Sequence, residues 1–411
     1  MTTTHHPSTP ARHAAYEART TGLPARIRHV LNLDDFERAA ARYLPGPLRE
    51  YVLGAAEDNR SLAANRAAFR RHDFVTRVLA DVSHRSTQTT LLGQAYHVPF
   101  GIAPVGISAL LAYQGDLAMA LAARQEGACM IMSGSSLMRL EEIHEQAPGT
   151  WFQAYLPGDP VRRAALVERV GRAGYETLVV TVDIPVWANR ENNIRAGFSL
   201  PLRPTPRLAW EGVTHPGWLV RTLLRTLATR GMPHFENSFA ERGAPAFSAK
   251  AVRDTTGRDH LTWDDIAAIR RQWRGNLVVK GILSAEDARR ALAIGAEGII
   301  VSNHGGRQLD GAAAPLRVLR AIADAVGQRL AVMMDGGIRR GGDVLTALSL
   351  GARYVFAGRP FICAAAVGGQ AGVAHAIQLL QAEVDRNMAM LGASRLHELG
   401  PHCLLQAQQE S

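Results

Sequence analysis

The stretch that decides the fold is Val301-Ser-Asn-His-Gly-Gly-Arg-Gln-Leu-Asp310, which follows the apolar run Gly298-Ile-Ile-Val301. A short apolar run rich in β-branched residues predicts a buried strand. The adjacent glycines end this strand and let the backbone approach a ligand closely. His304 exchanges protons near neutral pH, and Arg307 carries a permanent charge on a fork that matches a carboxylate. The stretch therefore predicts acid–base chemistry on an acidic substrate, with a turn and a surface ion pair as the alternative for an isolated His-Gly-Gly-Arg.

The unit that contains this strand, a helix followed by Gly and a β-branched strand, recurs along the chain. It is found at 123–133, 170–181, 291–302 and 347–358. Helix–Gly–strand repeats indicate parallel βαβ units. Strands are predicted at 100–103, 130–133, 151–155, 177–182, 277–281, 298–302, 330–335 and 354–358. Eight such strands predict an α/β fold, a (β/α)8 TIM barrel. An open doubly wound sheet is the alternative, but no GxGxxG follows the first strand.

The remaining sequence divides into a tail, one domain and an insertion. Residues 1–30 are rich in Thr, Pro, His and Arg without periodicity, which predicts a flexible tail. A single domain is predicted over 31–405, and it begins with a helical extension that Asn32 or Asp34 can cap. About 90 residues separate the fourth and fifth predicted strands, so 195–260 is predicted to be an insertion after strand four.

The composition narrows the functional classes. The 411 residues are 47% hydrophobic and 20% charged, which suits a compact enzyme rather than a coiled coil or a disordered chain. The three cysteines lie far apart without a CxxC pair, so neither disulfides nor a metal site are predicted, and a cytoplasmic location is expected. The start lacks a secretory signal, and no apolar run is long enough to span a bilayer. The net charge of +9 suits an anionic substrate or lipid surface, and without a basic recognition helix no nucleic-acid partner is predicted.

Part of the insertion has the pattern of an interfacial helix. Between Trp218 and Arg230, apolar residues at 219, 220, 223, 224 and 227 share one helical face, flanked by three arginines and no acidic residue. A basic amphipathic helix of this kind favours a membrane surface. Residues 214–231 are therefore predicted to bind the membrane. The alternative is a lid helix that packs on its own barrel or on a neighbouring subunit.

All eight predicted strands end in polar residues or glycine, at the place where such a barrel carries its chemistry. The last two strand ends supply backbone N–H groups and cations suited to a phosphate, and an acidic side chain suited to a sugar hydroxyl. These residues are Asp335, Gly336, Gly337, Arg339, Gly358 and Arg359. Lys280 ends an apolar strand and needs a negative partner, either a ring such as a reduced flavin or a barrel Asp or Glu. Residues able to hydrogen-bond such a ring are Ser133, Gln153 and Thr181.

From about residue 32 to 405 the sequence resembles the FMN-dependent L-2-hydroxy acid oxidases and dehydrogenases, which include glycolate oxidase, L-lactate dehydrogenase and mandelate dehydrogenase. The resemblance is carried first by the stretch Ser302–Asp310. Further matching motifs are Gly54-Ala-Ala-Glu-Asp58, Thr181-Val-Asp183, Asn189-Arg-Glu191, Leu277-Val-Val-Lys-Gly-Ile-Leu-Ser284 and Asp335-Gly-Gly-Ile-Arg-Arg340. Within the insertion, 215–218 and 231–237 are similar to the membrane-associated lactate and mandelate dehydrogenases in particular.

The resemblance implies FMN as the cofactor and a role for each matching residue. His304 is expected to be the base in oxidation at the substrate's C2, and Asp183 is expected to stabilise its protonated form. Two arginines are expected to hold the substrate carboxylate, and two tyrosine hydroxyls are expected to assist in catalysis. The expected substrate contacts are Arg307, Arg190, Tyr51, Tyr155, Ser135 and Gly106. The expected FMN contacts outside the phosphate group are Pro104, Val105, Gly106, Ser133, Gln153, Thr181, Lys280 and Ser302.

Two departures from the short-chain oxidases bear on the substrate and the electron acceptor. Ser135 stands where those oxidases resemble one another in having Trp, which favours a lactate- or mandelate-like acid larger than glycolate. Gly106 stands where they often have Ala, which favours a dehydrogenase that passes electrons to a quinone or another carrier. The alternatives are an oxidase that makes H2O2 from O2, and an FMN barrel that is an isomerase or a flavin carrier. The resemblance also implies a homo-oligomer, a tetramer, peripheral on the cytoplasmic face of the membrane.

Overall fold

Eight parallel strands form the centre of the computed structural model, which describes residues 22–249 and 256–405. An antiparallel hairpin, Thr89–Leu91 (β1) and Gln94–Tyr96 (β2), precedes them. The eight strands are Phe100–Ile102 (β3), Ile131–Ser133 (β4), Trp151–Tyr155 (β5), Thr177–Thr181 (β6), Asn276–Ile282 (β7), Gly298–Val301 (β8), Ala331–Asp335 (β9) and Tyr354–Ala357 (β10). Each of these bounds lies within one residue of the bound predicted from the sequence.

The strands close into a barrel. They are hydrogen-bonded in the order β3-β10-β9-β8-β7-β6-β5-β4, and Ile102 pairs in parallel with Met130, which joins the two ends of that order. Parallel neighbours need a crossover between them, and helices supply it. The predicted (β/α)8 barrel is therefore confirmed.

Helices surround the barrel and precede it. The N-terminal extension contains Leu33–Tyr43 (α1), Gly46–Leu53 (α2) and Arg60–Phe69 (α3). The helices between the first four strands and after them are Ser108–Leu111 (α4), Gly115–Glu126 (α5), Leu140–Gln146 (α6), Pro160–Arg172 (α7) and Glu191–Ala196 (α8). The insertion contains Pro206–Thr214 (α9), Pro216–Trp218 (α10), the π-helix Leu219–Leu224 and Arg225–Arg230 (α11). The rest of the barrel contains Trp263–Gln272 (α12), Ala285–Ala293 (α13), Pro315–Val326 (α14), Gly341–Ser349 (α15) and Arg359–Met390 (α16).

The N-terminal extension is packed more fully than the sequence predicted. Asn32 caps α1, because its side chain accepts a hydrogen bond from the Asp35 amide while the Asp35 carboxylate accepts one from the backbone of Asn32. Residues 1–21 of the predicted tail lie outside the described residues. Ile27 and Val30, in the last part of that tail, are fully buried. The prediction of a flexible tail to residue 30 is therefore wrong for its final part, because these two apolar side chains join the core.

Helix α16 is the longest helix in the described part of the chain. By length and composition it could cross a membrane, which the sequence did not predict, but 78% of its apolar window is buried inside the protein. The helix is broken at Gly369, where φ is 60° and ψ is −148°. Its contacts with α1 and α5 make it a core helix that covers the barrel.

The insertion lies against the barrel through one face and leaves apolar side chains on another. Trp218 is buried, and its indole N–H donates to a backbone carbonyl at the end of α4 over 2.8 Å. Thr222 and Thr226 are only 2% and 5% exposed, whereas Val220 and Leu224 are 57% and 48% exposed. Leu219 and Leu223 of the predicted apolar stripe pack against the core, so the stripe is divided between the barrel and the outside.

Candidate active site

The polar groups of the site follow from the alternation of side chains along each strand. The barrel interior is filled by an apolar layer that contains Ile131, Trp151, Val179, Val278, Ile300, Met333 and Phe356. Because side chains two residues apart share a face of the strand, the next inward position in each strand faces the C-terminal end of the barrel. Those positions are Ser133, Gln153, Thr181, Lys280, Ser302, Asp335 and Gly358. Two residues further along each strand, the packed apolar layer is thus followed by a layer of mostly hydrogen-bonding groups.

His304 lies just beyond this layer in a constrained backbone. Its φ is 56°, in the left-handed region, and the two glycines that follow also have positive φ. Gly306 has no room for a side chain, because a Cβ atom would lie 2.6 Å from the backbone nitrogen of Leu62. The amide of His304 donates to Ser302 Oγ over 3.0 Å. Backbone strain held in place by such contacts is typical of functional positions.

The imidazole of His304 is paired with a carboxylate on one side and open on the other. Its Nδ1 lies 2.9 Å from Asp183 Oδ1, and its Nε2 lies 3.5 Å from the hydroxyl of Tyr155. Burial lowers the pKa of His304 below its ordinary value, and Asp183 opposes this only in part. Burial raises the pKa of Asp183, but the charges of His304 and Lys280 outweigh burial and keep that pKa below its ordinary value. An ionised Asp183 can only accept, so Nδ1 carries the hydrogen and Nε2 offers a lone pair to a ligand.

Lys280 is ion-paired inside the barrel. Its Nζ lies 2.9 Å from Asp335 Oδ2 and donates to Ser302 Oγ over 2.8 Å. Burial lowers the pKa of Lys280, but the charges of Asp335 and Asp183 raise it above its ordinary value. The partner of Lys280 in this structure is therefore a barrel carboxylate, as the alternative prediction stated. Lys280 also lines the same cavity as His304.

Two arginines line this cavity, and neither is ion-paired with a carboxylate of the described part of the chain. Arg307 Nη1 donates to the carbonyls of Tyr51 and Gly54, and its Cζ lies 4.8 Å from the centre of the Tyr51 ring. Arg190 donates through Nε to the carbonyl of Arg307 over 3.0 Å and through Nη2 to Gln308 Oε1 over 2.7 Å. Burial and the nearby Arg307 lower the pKa of Arg190 to about 9. Buried cations held by neutral oxygens favour an anionic ligand.

The expected phosphate end of the site contains two further arginines with different partners. Arg359 donates from its three nitrogens to three backbone carbonyls, each over 3.0 Å. Burial and the charges of neighbouring arginines lower the pKa of Arg359 to about 9. Arg339, in contrast, is ion-paired with Glu37 over 2.6 Å. The φ values of Gly336 and Gly337 are 102° and 86°, a backbone that L side chains rarely adopt.

The residues of this cavity and of the strand ends beside it fit FMN. Three buried polar atoms, Gln153 Nε2, Thr181 Oγ1 and Asp335 Oδ1, have no hydrogen-bond partner among the described residues. Buried polar groups need partners, and a flavin ring with its ribityl chain supplies both donors and acceptors. Arg359 and the glycine backbone at 336–337 would hold the phosphate. Lys280 would lie near the ring.

The predicted site residues fall into two sets. Those that line one cavity are Tyr51, Pro104, Val105, Gly106, Ser135, Tyr155, Arg190, Lys280, His304, Arg307, Asp335, Gly336, Gly337, Arg339, Gly358 and Arg359. Those that do not line it are Ser133, Gln153, Thr181, Asp183 and Ser302. Ser133, Gln153, Thr181 and Ser302 are buried at the strand ends, and Asp183 is hydrogen-bonded to His304. Lining residues that the sequence analysis missed include Val52, Ile184, Trp187, Leu200 and Arg258.

Other residues of the deciding stretch hold it in place. The Asn303 and Asn65 side chains exchange two hydrogen bonds of 2.8 Å, which ties β8 to α3. Asp310 accepts from the amides of Arg60 and Ser61 at the first turn of α3. The sequence signal for these roles was an Asn and an Asp flanking the His-Gly-Gly-Arg, but their partners lie some 240 residues earlier.

Gly106 and Ser135, the two departures noted in the sequence, are in direct contact. A Cβ atom on Gly106 would lie 2.8 Å from Ser135 Cβ and 3.1 Å from the Tyr51 hydroxyl. The glycine therefore lets the first strand's loop approach both residues. Gly106, Ser135 and Tyr51 therefore form this part of the pocket wall together.

Comparisons with known proteins agree with this geometry. The sequence model of the family described as FMN-dependent dehydrogenase matches residues 40–406. The chain is 37% identical to a putative L-lactate dehydrogenase of Mycobacterium tuberculosis, over 93% of this chain and 91% of the relative. It is 40% identical to an L-lactate oxidase of Nostoc sp., over 91% and 97%.

A solved structure also matches this protein over most of its length. The crystal structure of the monotopic membrane protein (S)-mandelate dehydrogenase superposes with a TM-score of 0.83 at 33% identity, covering 92% of this chain and 99% of that one. The match extends over the barrel and well beyond the motifs on which the resemblance rested. The protein therefore belongs to the FMN-dependent dehydrogenase family, with FMN as its cofactor and the CH–OH group of a 2-hydroxy acid as its electron donor.

Proposed function

We propose that the protein oxidises a lactate- or mandelate-like L-2-hydroxy acid to the 2-oxo acid and passes the electrons to a quinone or another carrier. The observation that carries this proposal is the grouping of a carboxylate-supported His304 with Arg190 and Arg307 in one cavity. An imidazole base beside two cations matches a substrate that has a carboxylate one carbon from the reacting C–H and O–H bonds.

The substrate carboxylate would be bound by the two guanidinium groups. Arg307 is fixed by the carbonyls of Tyr51 and Gly54, and Arg190 is fixed by Gln308, so both groups are oriented before a ligand arrives. The Tyr51 hydroxyl would add a third hydrogen bond. Pre-oriented donors reduce the entropy lost on binding and place C2 reproducibly.

The proton removed from the substrate would go to Nε2 of His304. The lowered pKa of His304 keeps the imidazole neutral and ready to accept near pH 7. Asp183 then stabilises the imidazolium through Nδ1, 2.9 Å away. The Tyr155 hydroxyl, 3.5 Å from Nε2, would hold the substrate oxygen in line. FMN would supply the acceptor for the two electrons, and Lys280 would offset the negative charge that reduction brings close to it.

The test is anaerobic reduction of the FMN-bound protein by a panel of L- and D-2-hydroxy acids. The L acids should bleach the flavin absorbance, and the D acids should not. Reoxidation by a soluble quinone should be faster than reoxidation by O2. A flavin that no 2-hydroxy acid reduces would refute the proposal and favour an isomerase or a flavin carrier.

An oxidase is the second candidate, and the 40% identity with an L-lactate oxidase favours it. The two readings share the reductive step and differ only in what reoxidises the flavin. Rapid peroxide formation in air, at a rate similar to that of turnover with a quinone, would support the oxidase.

We also propose that the insertion docks on the cytoplasmic face of a membrane. Four large apolar side chains of α9 and the π-helix Leu219–Leu224, Trp210, Val213, Val220 and Leu224, are about half to two-thirds exposed. Such a concentration of exposed apolar area is expensive in water and favours a lipid surface. The predicted segment 214–231 contributes only part of this face, because Trp218 is buried. Cosedimentation with vesicles tests the proposal.

We propose that the protein is a homotetramer, because the family that its sequence resembles implies one. Sedimentation equilibrium of the FMN-bound protein without lipid or detergent would test it. A single species of four times the chain mass supports it, and a monomer contradicts it.

A further inference from the structure

A second cleft, separate from the active-site cavity, lies between the insertion and the outer helices of the barrel. It is bordered by α11 and the π-helix, by α5 and by the break in α16 at Gly369, and its volume is about 380 Å³. Its charged lining residues are Arg26, Arg221 and Arg225, and no Asp or Glu lines it in the described part of the chain. A cleft with cations and no carboxylate attracts an anionic ligand.

Tyrosine rings hold two of these arginines in the cleft. The Cζ of Arg221 lies 5.0 Å from the centre of the Tyr43 ring, and the Cζ of Arg225 lies 3.9 Å from that of Tyr113. These contacts orient the guanidinium groups without cancelling their charge. Arg230 on the same helix differs, because it is ion-paired with a barrel glutamate over 2.7 Å. The positive charges of Arg221 and Arg225 are therefore held in place by the tyrosine rings but are not neutralised by a carboxylate that lines the cleft.

Much of the remaining lining is apolar, and the cleft adjoins the exposed face of the insertion. Leu117, Leu121 and Val367 are among the apolar residues that line the cleft. Val220 and Leu224 are exposed and directly precede Arg221 and Arg225 in the chain. If Val220 and Leu224 entered the apolar part of a membrane, Arg221 and Arg225 would lie at the depth of the lipid phosphates.

We propose that this cleft binds the phosphate headgroup of an anionic phospholipid at the surface on which the insertion docks. The inference rests on the membrane association proposed above and adds the class of lipid. The apolar lining suits the upper part of an acyl chain, and the arginine pair suits the phosphodiester.

The experiment measures partitioning of the FMN-bound protein onto vesicles of phosphatidylcholine, with and without phosphatidylglycerol. The wild type should bind the anionic vesicles more tightly. Arg221→Gln/Arg225→Gln should weaken binding to them about 30-fold and leave binding to neutral vesicles unchanged, since each cation near an anionic surface contributes about fivefold. Arg225→Gln alone should weaken binding about fivefold, which keeps the test open if the double variant folds poorly. The matched control is Arg271→Gln/Arg274→Gln, an exposed pair on and just after α12 that does not line the cleft.

Five results would overturn the proposal. Equal binding of wild type and double variant to anionic vesicles would remove the arginines from the interface. Release of the wild type by inorganic phosphate, but not by chloride of equal ionic strength, would indicate a site for a free anion. A changed oligomeric mass of the double variant without lipid would make the cleft an interface between copies of the chain. If the wild type binds both kinds of vesicle equally, the protein associates with membranes but does not recognise an anionic headgroup. If the wild type binds neither kind, both the membrane association and the headgroup site are excluded.

Discussion

The active-site cavity buries charged side chains, whereas the insertion exposes apolar side chains. At the strand ends, Lys280 and Asp335 are buried and ion-paired with each other, and the partly buried Arg359 is held by backbone carbonyls. In the insertion, Thr222 and Thr226 face the barrel while Val220 and Leu224 face outward. Each arrangement is costly in water by itself.

The difference indicates which partner each region has. A buried cluster of cations and unpartnered polar atoms is completed by a charged, hydrogen-bonding ligand, here FMN and a 2-hydroxy acid. An outward apolar face is completed by an apolar surface. Catalytic changes should therefore leave membrane binding unaltered, and changes on the exposed face of the insertion should leave flavin reduction unaltered.

The largest expected effect is that of His304→Ala. The rate of anaerobic flavin reduction should fall about a hundredfold to ten-thousandfold, because the general base is lost. Vesicle binding and the visible spectrum of bound FMN should remain those of the wild type. Stopped-flow absorbance measures the rate, and a value within a factor of two of wild type would exclude the role of base.

Arg307→Lys should raise KM about tenfold to a hundredfold. A lysine cannot both satisfy the carbonyls of Tyr51 and Gly54 and present a second donor to the substrate. Steady-state kinetics measure KM, with the exposed Arg320→Lys as the control. An unchanged KM would place the substrate carboxylate elsewhere.

Asp183→Asn should change the pH dependence of flavin reduction. In the wild type the rate should fall as pH falls through the pKa of His304, which burial holds below 6.5. The carboxylate raises that pKa, so its removal should move the low-pH limb further down, and the plateau should fall about tenfold. A limb that moved to higher pH would contradict the pairing.

The smallest effect is expected in the insertion. Trp210→Ser/Leu224→Ser should weaken binding to neutral vesicles about tenfold, because two partly exposed apolar side chains no longer enter the interface. The control is Val78→Ser/Met390→Ser, which removes exposed apolar side chains elsewhere on the surface. Equal loss in both variants would mean that the insertion has no special place in docking.

The barrel and the grouping of its site residues were predictable from the sequence for a geometric reason. Parallel strands bring their carboxyl ends to one rim, so His304, Lys280 and Asp335 had to lie near one another once the strands were placed. Partners distant in sequence were not predictable in this way. Asn65 and Glu37 reach the site from the N-terminal extension, and no local pattern specifies where that extension packs.

The orientation of the insertion was not predictable from periodicity. A period near 3.6 shows that a helix has an apolar stripe but does not say whether that stripe faces the protein or a lipid. The indole hydrogen bond of Trp218 and the burial of Thr222 decide it, because they turn the helix so that Val220 lies outside. Arg258 was missed because it belongs to no motif and enters the cavity from a 3-10 turn before α12.

The most direct measurement is a crystal structure of the FMN-bound protein with the 2-oxo acid product. The product carboxylate should lie between Arg307 and Arg190, with the carbonyl oxygen within hydrogen-bond distance of His304 Nε2. A carboxylate bound outside this arginine pair, or an imidazole turned away from the product, would contradict the account.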